Sequence, residues 1–147
     1  MAHGDGRGEC MGEVRVRAIL TNAVDEDLAQ RGQISPAQVR RYEAQALVDT
    51  GAVRSCFPAH VVEQLGLSLR GQRVAEYADG RKDIVAVTGP VVIHIEGRDT
   101  LEEALVLGDE VLIGQTVVEK IDMWVDCVHQ RLVPNPAHPD QPVSKVK

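Results

Sequence analysis

An all-β, barrel-like single domain is the fold class this sequence predicts, and three observations predict it. Apolar residues alternate with polar ones over about eight segments of five to seven residues, and turn residues recur at short intervals between them. The apolar content is carried by Val, Leu, Ile and Ala, with one Trp, two Tyr and one Phe, and the β-branched share favours strands. Strands and helices do not alternate along the chain, which sets aside a parallel sheet built from βαβ units. At 147 residues the chain has one domain's length, enough to bury roughly 68–70% of its unfolded surface without metal or disulfide support.

The elements follow in order. Residues 1–12 read as a flexible tail, because Gly4, Gly6, Gly8 and Gly12 are interleaved with charges; Met11 is a second candidate first residue. Val14, Val16, Ala18 and Leu20 alternate with Arg15, Arg17 and Ile19, a strand with one buried face. An excursion over residues 24–40 carries a short helical turn from Asp25 to Arg31 and a second turn opened by Ser35-Pro36, positioned to cover a cleft or touch a partner. Tyr42 to Val48 is a strand running into Asp49-Thr50-Gly51-Ala52, and Val53 to Phe57 is strand-like again.

Pro58 opens a helix over Ala59 to Leu65, with Val61, Val62 and Leu65 as its apolar stripe and Gly66 as its left-handed stop. Arg73 to Tyr77 and Asp83 to Val87 flank Ala78-Asp79-Gly80-Arg81, and Asp-Gly between alternating runs predicts a hairpin. Pro90 to Ile95 and Leu101 to Leu107 are strands; Val111 to Gly114 leads into a short helix over Gln115 to Ile121; Met123 to Val125 and Arg131 to Val133 close the regular structure. Pro134, Pro136, Pro139 and Pro142 predict an extended or disordered end. The domain proper is expected at residues 13–136, with a Pro-rich tail over 137–147.

Sixteen Lys and Arg against 22 Asp and Glu leave a formal charge of −6, the wrong sign for meeting nucleic-acid phosphates or an anionic membrane surface. No apolar run approaches the roughly 18 residues a bilayer span needs, and no signal-type segment opens the chain, so a cytoplasmic setting is expected. Cys10, Cys56 and Cys127 are odd in number and far apart, which predicts reduced thiols. His3, His60, His94, His129 and His138 lack metal-ligand spacing, so no metal and no cofactor are expected.

The segment most informative about chemistry is Ala46-Leu47-Val48-Asp49-Thr50-Gly51-Ala52. An acid at the end of an apolar strand, followed by Thr and Gly, holds a carboxylate in a tight turn. The segment resembles the active-site loop of retropepsin-like aspartic proteases. The Ala78-Asp79-Gly80 hairpin falls where that family carries its flap. Val111-Leu112-Ile113-Gly114 falls where it carries two apolar residues and a Gly before a short helix, and Met123 to Pro134 is similar to the closing hairpin of bacterial members. The resemblance spans residues 14–136 and implies an acid-protease barrel with one or two short helices.

It further implies Asp49 as the catalytic acid/base, Thr50 bracing the loop, and Gly51 with Ala52 lining the cleft. Tyr77, Ala78, Asp79 and Gly80 would belong to a flap that binds an extended peptide. This chemistry needs two carboxylates around one water. The chain holds one Asp-Thr-Gly, since Asp99-Thr100 is followed by Leu101, and it is too short for two lobes. The second carboxylate must then be Asp49 of another copy, in a two-fold homodimer. Gln115 departs from the Arg that retroviral enzymes usually carry after the Gly. The competing reading is a non-catalytic dimerisation or peptide-binding module that keeps the fold.

Overall fold

The inward alternation of Val14, Val16, Ala18 and Leu20 builds the central strand β1 (Val14–Asn22), all four side chains lying in the core. The computed structural model describes residues 10 and 12–146; residues 1–9, His3 included, and Met11 of the expected N-terminal tail lie outside the described residues. β1 pairs antiparallel with β2 (Arg41–Asp49) in a register that sets Val14 opposite Val48 and Val16 opposite Ala46, so both strands turn their small apolar residues to one face. Its other edge takes β6 (Val91–Ile95), which forms a hairpin with β7 (Arg98–Glu102) across Glu96-Gly97, both at positive φ.

The remaining strands are β3 (Cys56–Phe57), β4 (Leu69–Glu76), β5 (Lys82–Thr88), β8 (Leu105–Val106) and β9 (Leu112–Gly114). Together they make a nine-stranded sheet in the order β4-β5-β8-β3-β9-β2-β1-β6-β7, and β10 (Met123–Asp126) with β11 (Arg131–Pro134) makes a separate hairpin. Three short helices, α1 (Ala23–Gln30), α2 (Ala59–Leu65) and α3 (Gln115–Lys120), complete an all-β single domain, as the alternation predicts. The core is aliphatic around one ring, that of Phe57, with Leu20, Leu65, Ile93, Ile113 and Ile121 fully enclosed.

Two strand expectations need correction. Val53 to Phe57 is strand only at Cys56 and Phe57, because the carbonyls of Ala52 and Val53 accept the first N–H groups of α3 instead of entering a ladder (Gln115 N to Ala52 O 2.8 Å, Thr116 N to Val53 O 3.2 Å). The run from Leu101 to Leu107 is two strands, β7 and β8, broken at Glu103-Ala104. There the Ala104 N–H turns to the buried Thr88 hydroxyl, 3.0 Å away.

The excursion over residues 24–40 is tied to the body of the domain. Asn22 caps α1 by accepting the Asp25 N–H at 3.0 Å and donates to the Leu65 carbonyl at 2.9 Å. The buried Asp25 carboxylate receives the Arg40 guanidinium through Nε at 2.8 Å and Nη2 at 2.9 Å, which holds its pKa below the ordinary carboxylate value.

The C-terminal segment, expected to be extended or disordered, instead turns back at residues 135–138 and is fastened to the domain. Arg98, 6% exposed, donates to the carbonyls of Ile121, Asp122 and His138. Asp122 accepts from Asn135, from the His138 ring at 2.6 Å and from the Val143 N–H at 3.0 Å.

The expectation of three reduced thiols is overturned: Cys10 and Cys127 form a disulfide across 117 positions of sequence, and Cys56 alone is free. Distant cysteines give no pairing signal in a sequence, since only the fold brings their Cα atoms to 5.0 Å. Cys127 follows β10 on a turn organised by Asp126, whose carboxylate accepts from the His129 ring at 2.9 Å, the Val128 and His129 N–H groups, and Arg131. His129 first, with Arg131, lowers the Asp126 pKa to about 2. A depressed carboxylate stabilises the fold above its unfolded pKa and loses that contribution as pH falls through the folded one. The turn is therefore expected to stay intact at pH 4 and to open near pH 2; a carboxyl-carbon NMR titration of Asp126 with a midpoint near 4 would contradict this.

Candidate functional site

Asp49 closes β2, and its position follows from how β9 is threaded. β9 runs parallel to β2 (Leu47 with Leu112, Val48 with Ile113, Asp49 with Gly114) and antiparallel to β3 (Cys56 with Leu112). The turn over residues 50–55 therefore crosses the end of the strand lying between its own two arms. Gly114 sits under that turn with its N–H donated to the buried Ser55 hydroxyl at 3.0 Å. A Cβ there would lie 2.7 Å from the Arg54 carbonyl carbon and oxygen and 2.8 Å from the Val53 oxygen, so only glycine permits the approach. Thr116 adds its hydroxyl to Val53 O at 3.0 Å. The Asp49 turn is thus clamped by four hydrogen bonds from the segment 114–116.

Within the turn, the Ala52 N–H donates to the Asp49 carbonyl at 3.1 Å, and the Gly51 N–H donates to Asp49 Oδ1 at 2.9 Å. That second bond fixes the carboxylate's plane while Oδ2 takes no donor from the described residues. Asp49 is exposed, and the half-buried Thr50 hydroxyl has no partner among the described residues. A Cβ on Gly51 would press on Asp49 Oδ1 at 3.2 Å, so the small residue follows from the carboxylate's position.

The carboxylate opens onto a concavity of about 220 Å³. Leu47 to Gly51 form one wall; Cys10, Gly12, Glu13, Val14 and Val125 form the other. Glu13 is paired with Arg15 at 3.1 Å, and Arg15 also reaches Glu110 at 2.7 Å, so the wall's own acid is compensated. A hollow of about 500 Å³ beside α3 contains Glu102, but that buried carboxylate is held by Lys120 at 3.2 Å and Thr116 at 2.8 Å, so it offers no open oxygen pair for chemistry. Cys56 is half-buried, and burial raises its thiol pKa, Asp49 adding to the effect and Arg54 opposing it; a protonated thiol is no nucleophile at neutral pH.

Tyr77, Ala78, Asp79 and Gly80 form the tip between β4 and β5. The Tyr77 N–H donates to Arg81 O at 2.8 Å, Gly80 turns at φ 86°, and the Arg81 guanidinium stacks over the Tyr77 ring at 4.3 Å. The tip is a well-formed hairpin, yet within one chain none of its residues lines the Asp49 concavity, and neither does any residue of the 24–40 excursion. Val74 and Ile84, directly opposed on the hairpin, are both more than 60% exposed. His94 and His129 each place a ring nitrogen on a carboxylate, Glu26 and Asp126 respectively, while His60 packs edge-on to Tyr42.

Sequence reasoning missed Ser55, the Gly12 and Glu13 wall, and the Cys10–Cys127 bond. Ser55 carried no signal, because a buried hydroxyl serving a backbone N–H looks like any loop serine until the partner strand is placed.

No protein-family model and no curated protein matches this sequence. Solved structures do share its fold. The retroviral protease-like domain of Ddi1 from Leishmania major is 18% identical, with 86% of this chain and 90% of that one covered at a TM-score of 0.52. EIAV protease, complexed with the inhibitor HBY-793, is 16% identical over 76% of this chain and 90% of its own, at 0.51. The simian foamy virus (mac) protease is 17% identical over 71% and 90%, at 0.45. The fold is therefore retropepsin-like.

Proposed function

We propose that this protein is an aspartic endopeptidase that works as a two-fold homodimer, with one water held between the two Asp49 carboxylates. The observation that carries the reading is the Asp49 carboxylate itself: fixed through Oδ1 by the Gly51 N–H, open at Oδ2, and exposed on a turn clamped from below in a retropepsin-like fold. Among the described residues the other acid on the concavity, Glu13, is taken up by Arg15, and rotation about a two-fold axis would bring a second Asp49 carboxylate to share the proton. The ionised member takes the proton of the water as the protonated member polarises the peptide carbonyl, and the roles exchange as the amine leaves.

In this reading the unpartnered Thr50 hydroxyl bonds the partner's loop, and Gly51 and Ala52 meet the substrate backbone. The hairpin tip from Tyr77 to Gly80 comes over the peptide, with Val74 and Ile84 offering an apolar face to it. The partners are an extended peptide or protein segment and a second copy; neither nucleic acid nor a membrane has a role. Among the described residues no helix is long and apolar enough to cross a membrane, and the proposed setting is the cytoplasm.

The test is cleavage of a mixed peptide library between about pH 4 and 7, run over a hundredfold range of protein concentration with mass by light scattering alongside. Activity per chain should rise with concentration and follow the dimer fraction. Cleavage by the monomer would remove the shared-water mechanism, and a stable dimer without cleavage would favour the non-catalytic module.

A further inference from the structure

The wall facing Asp49 begins where the backbone ladder ends. Val14 is the first residue paired with β2, and among the described residues no backbone hydrogen bond holds Cys10, Gly12 or Glu13. Among the described residues, side-chain features hold this stretch: the Glu13–Arg15 pair, the Gln130 side chain packed against Gly12 at φ 111°, and the Cys10–Cys127 disulfide. The first is an exposed ion pair and contributes little. The disulfide is the covalent hold on this stretch, beside the Gln130 contact.

We propose that the Cys10–Cys127 bond is a redox-cleavable latch on the Asp49 concavity, closed in the competent form and opened by thiol reductants. This rests on the reading that the Asp49 face binds the peptide and the second copy. Closure does not mask the site, since Asp49 is exposed with the bond in place. It orders one wall in advance, so binding does not have to meet that entropy cost. Cys127 is a firm anchor, following the residue whose carboxylate gathers two N–H groups, an imidazole and a guanidinium. Both cysteines are half-buried, within reach of an attacking thiolate.

The opening step balances as two exchanges. A thiolate attacks one sulfur, the Cys10–Cys127 bond breaks, and a mixed disulfide forms with one protein thiol released. A second thiolate then attacks the reductant's sulfur in the mixed disulfide and the remaining protein cysteine leaves, giving two protonated cysteines and the reductant's disulfide, so two electrons pass to the protein. In a reducing cytoplasm such a bond is a regulatory feature rather than a permanent staple.

Maleimide labelling under native and denaturing conditions, hydrogen exchange and peptide cleavage, each with and without dithiothreitol, test the proposal. The oxidised chain should label once on denaturation, at Cys56, and three times after reduction. Reduction, or Cys127→Ser, should speed exchange at the first amides of the ladder, Val14 and Arg15, about tenfold or more while Leu20 and Ile93 stay slow. It should also raise the concentration needed for half-maximal activity by about tenfold, and Cys56→Ser should change neither. Three reactive thiols before reduction, or equal exchange at Val14 and Arg15 in both forms, overturns the latch even if peptides are cleaved. Acceleration at Ile93 as well would make the bond a global staple, which also overturns it. Faster exchange confined to the wall, with neither form cleaving any peptide, keeps the latch on the concavity and rejects the peptidase reading.

Discussion

Asp49→Asn should abolish peptide cleavage, lowering kcat by about a thousandfold or more, while leaving the fold and the dimer intact. The amide keeps the shape of the carboxyl group, and its oxygen can still accept the Gly51 N–H that Oδ1 accepts at 2.9 Å, so the turn has no reason to rearrange. What is lost is the ability to carry and exchange a proton. A carboxyl pair around one water must hold one proton between its members, taking one from the water and lending one to the carbonyl; two amides can do neither. The same pairing predicts a two-sided pH profile for the wild type, falling when both members are protonated and again when both are ionised. Kinetics on matched preparations, with thermal melting to show unchanged stability, check this.

Mixing the two forms sharpens the test. If wild-type and Asp49→Asn chains assort freely at equal amounts, about a quarter of the dimers carry two aspartates, and total activity per chain should fall to about a quarter of wild type. A catalyst working from one chain alone would keep about half. The difference between those fractions separates shared from independent sites without any structure of the dimer, and residual activity near a half would remove the shared water from the mechanism.

The parts of this molecule legible in its sequence are those whose reason is local. Alternation at Val14, Val16, Ala18 and Leu20 declares β1 because a strand with one wet face has no other way to sort its side chains. Asp79-Gly80 declares the β4–β5 hairpin, and Gly66 the end of α2, because each turn needs a left-handed glycine, found at φ 86° and 62°. The acidic turn is legible because its reason is local too: the Gly51 N–H bonds the carboxylate two residues before it. What stayed hidden depends on partners distant in sequence. β3 shrinks to two residues because α3, some sixty positions later, takes the Ala52 and Val53 carbonyls. Cys10 finds Cys127, and Ser55 finds Gly114, only when the sheet has been assembled. Local chemistry thus announced the carboxylate, whereas the clamp beneath it and the wall opposite it come from topology.

Gly114→Ala should cost about 3 kcal/mol of stability, roughly 10 °C in Tm, and should remove activity from whatever protein still folds. A methyl group at this position lies 2.7 Å from the Arg54 carbonyl carbon and oxygen and 2.8 Å from the Val53 oxygen. These are backbone atoms, so no rotamer change relieves the contact. Relief comes only by moving residues 53–54 away from β9. Val53 is tied to the Thr116 N–H and hydroxyl, Ala52 beside it to the Gln115 N–H, and the Ser55 hydroxyl to the Gly114 N–H, so the displacement breaks the clamp under Asp49. Gly89→Ala is the contrast. Its methyl group meets mainly the Ser68 hydroxyl at 2.5 Å, a side-chain atom that can rotate away, with the Ser68 carbonyl at a comfortable 3.6 Å. It should cost about 1 kcal/mol and leave cleavage near wild type. Denaturation midpoints and kcat for the two variants side by side decide the matter. Equal costs would mean that the close approach under the Asp49 turn does not govern the site, whereas a loss of activity specific to position 114 ties catalysis to the strand threaded beneath it.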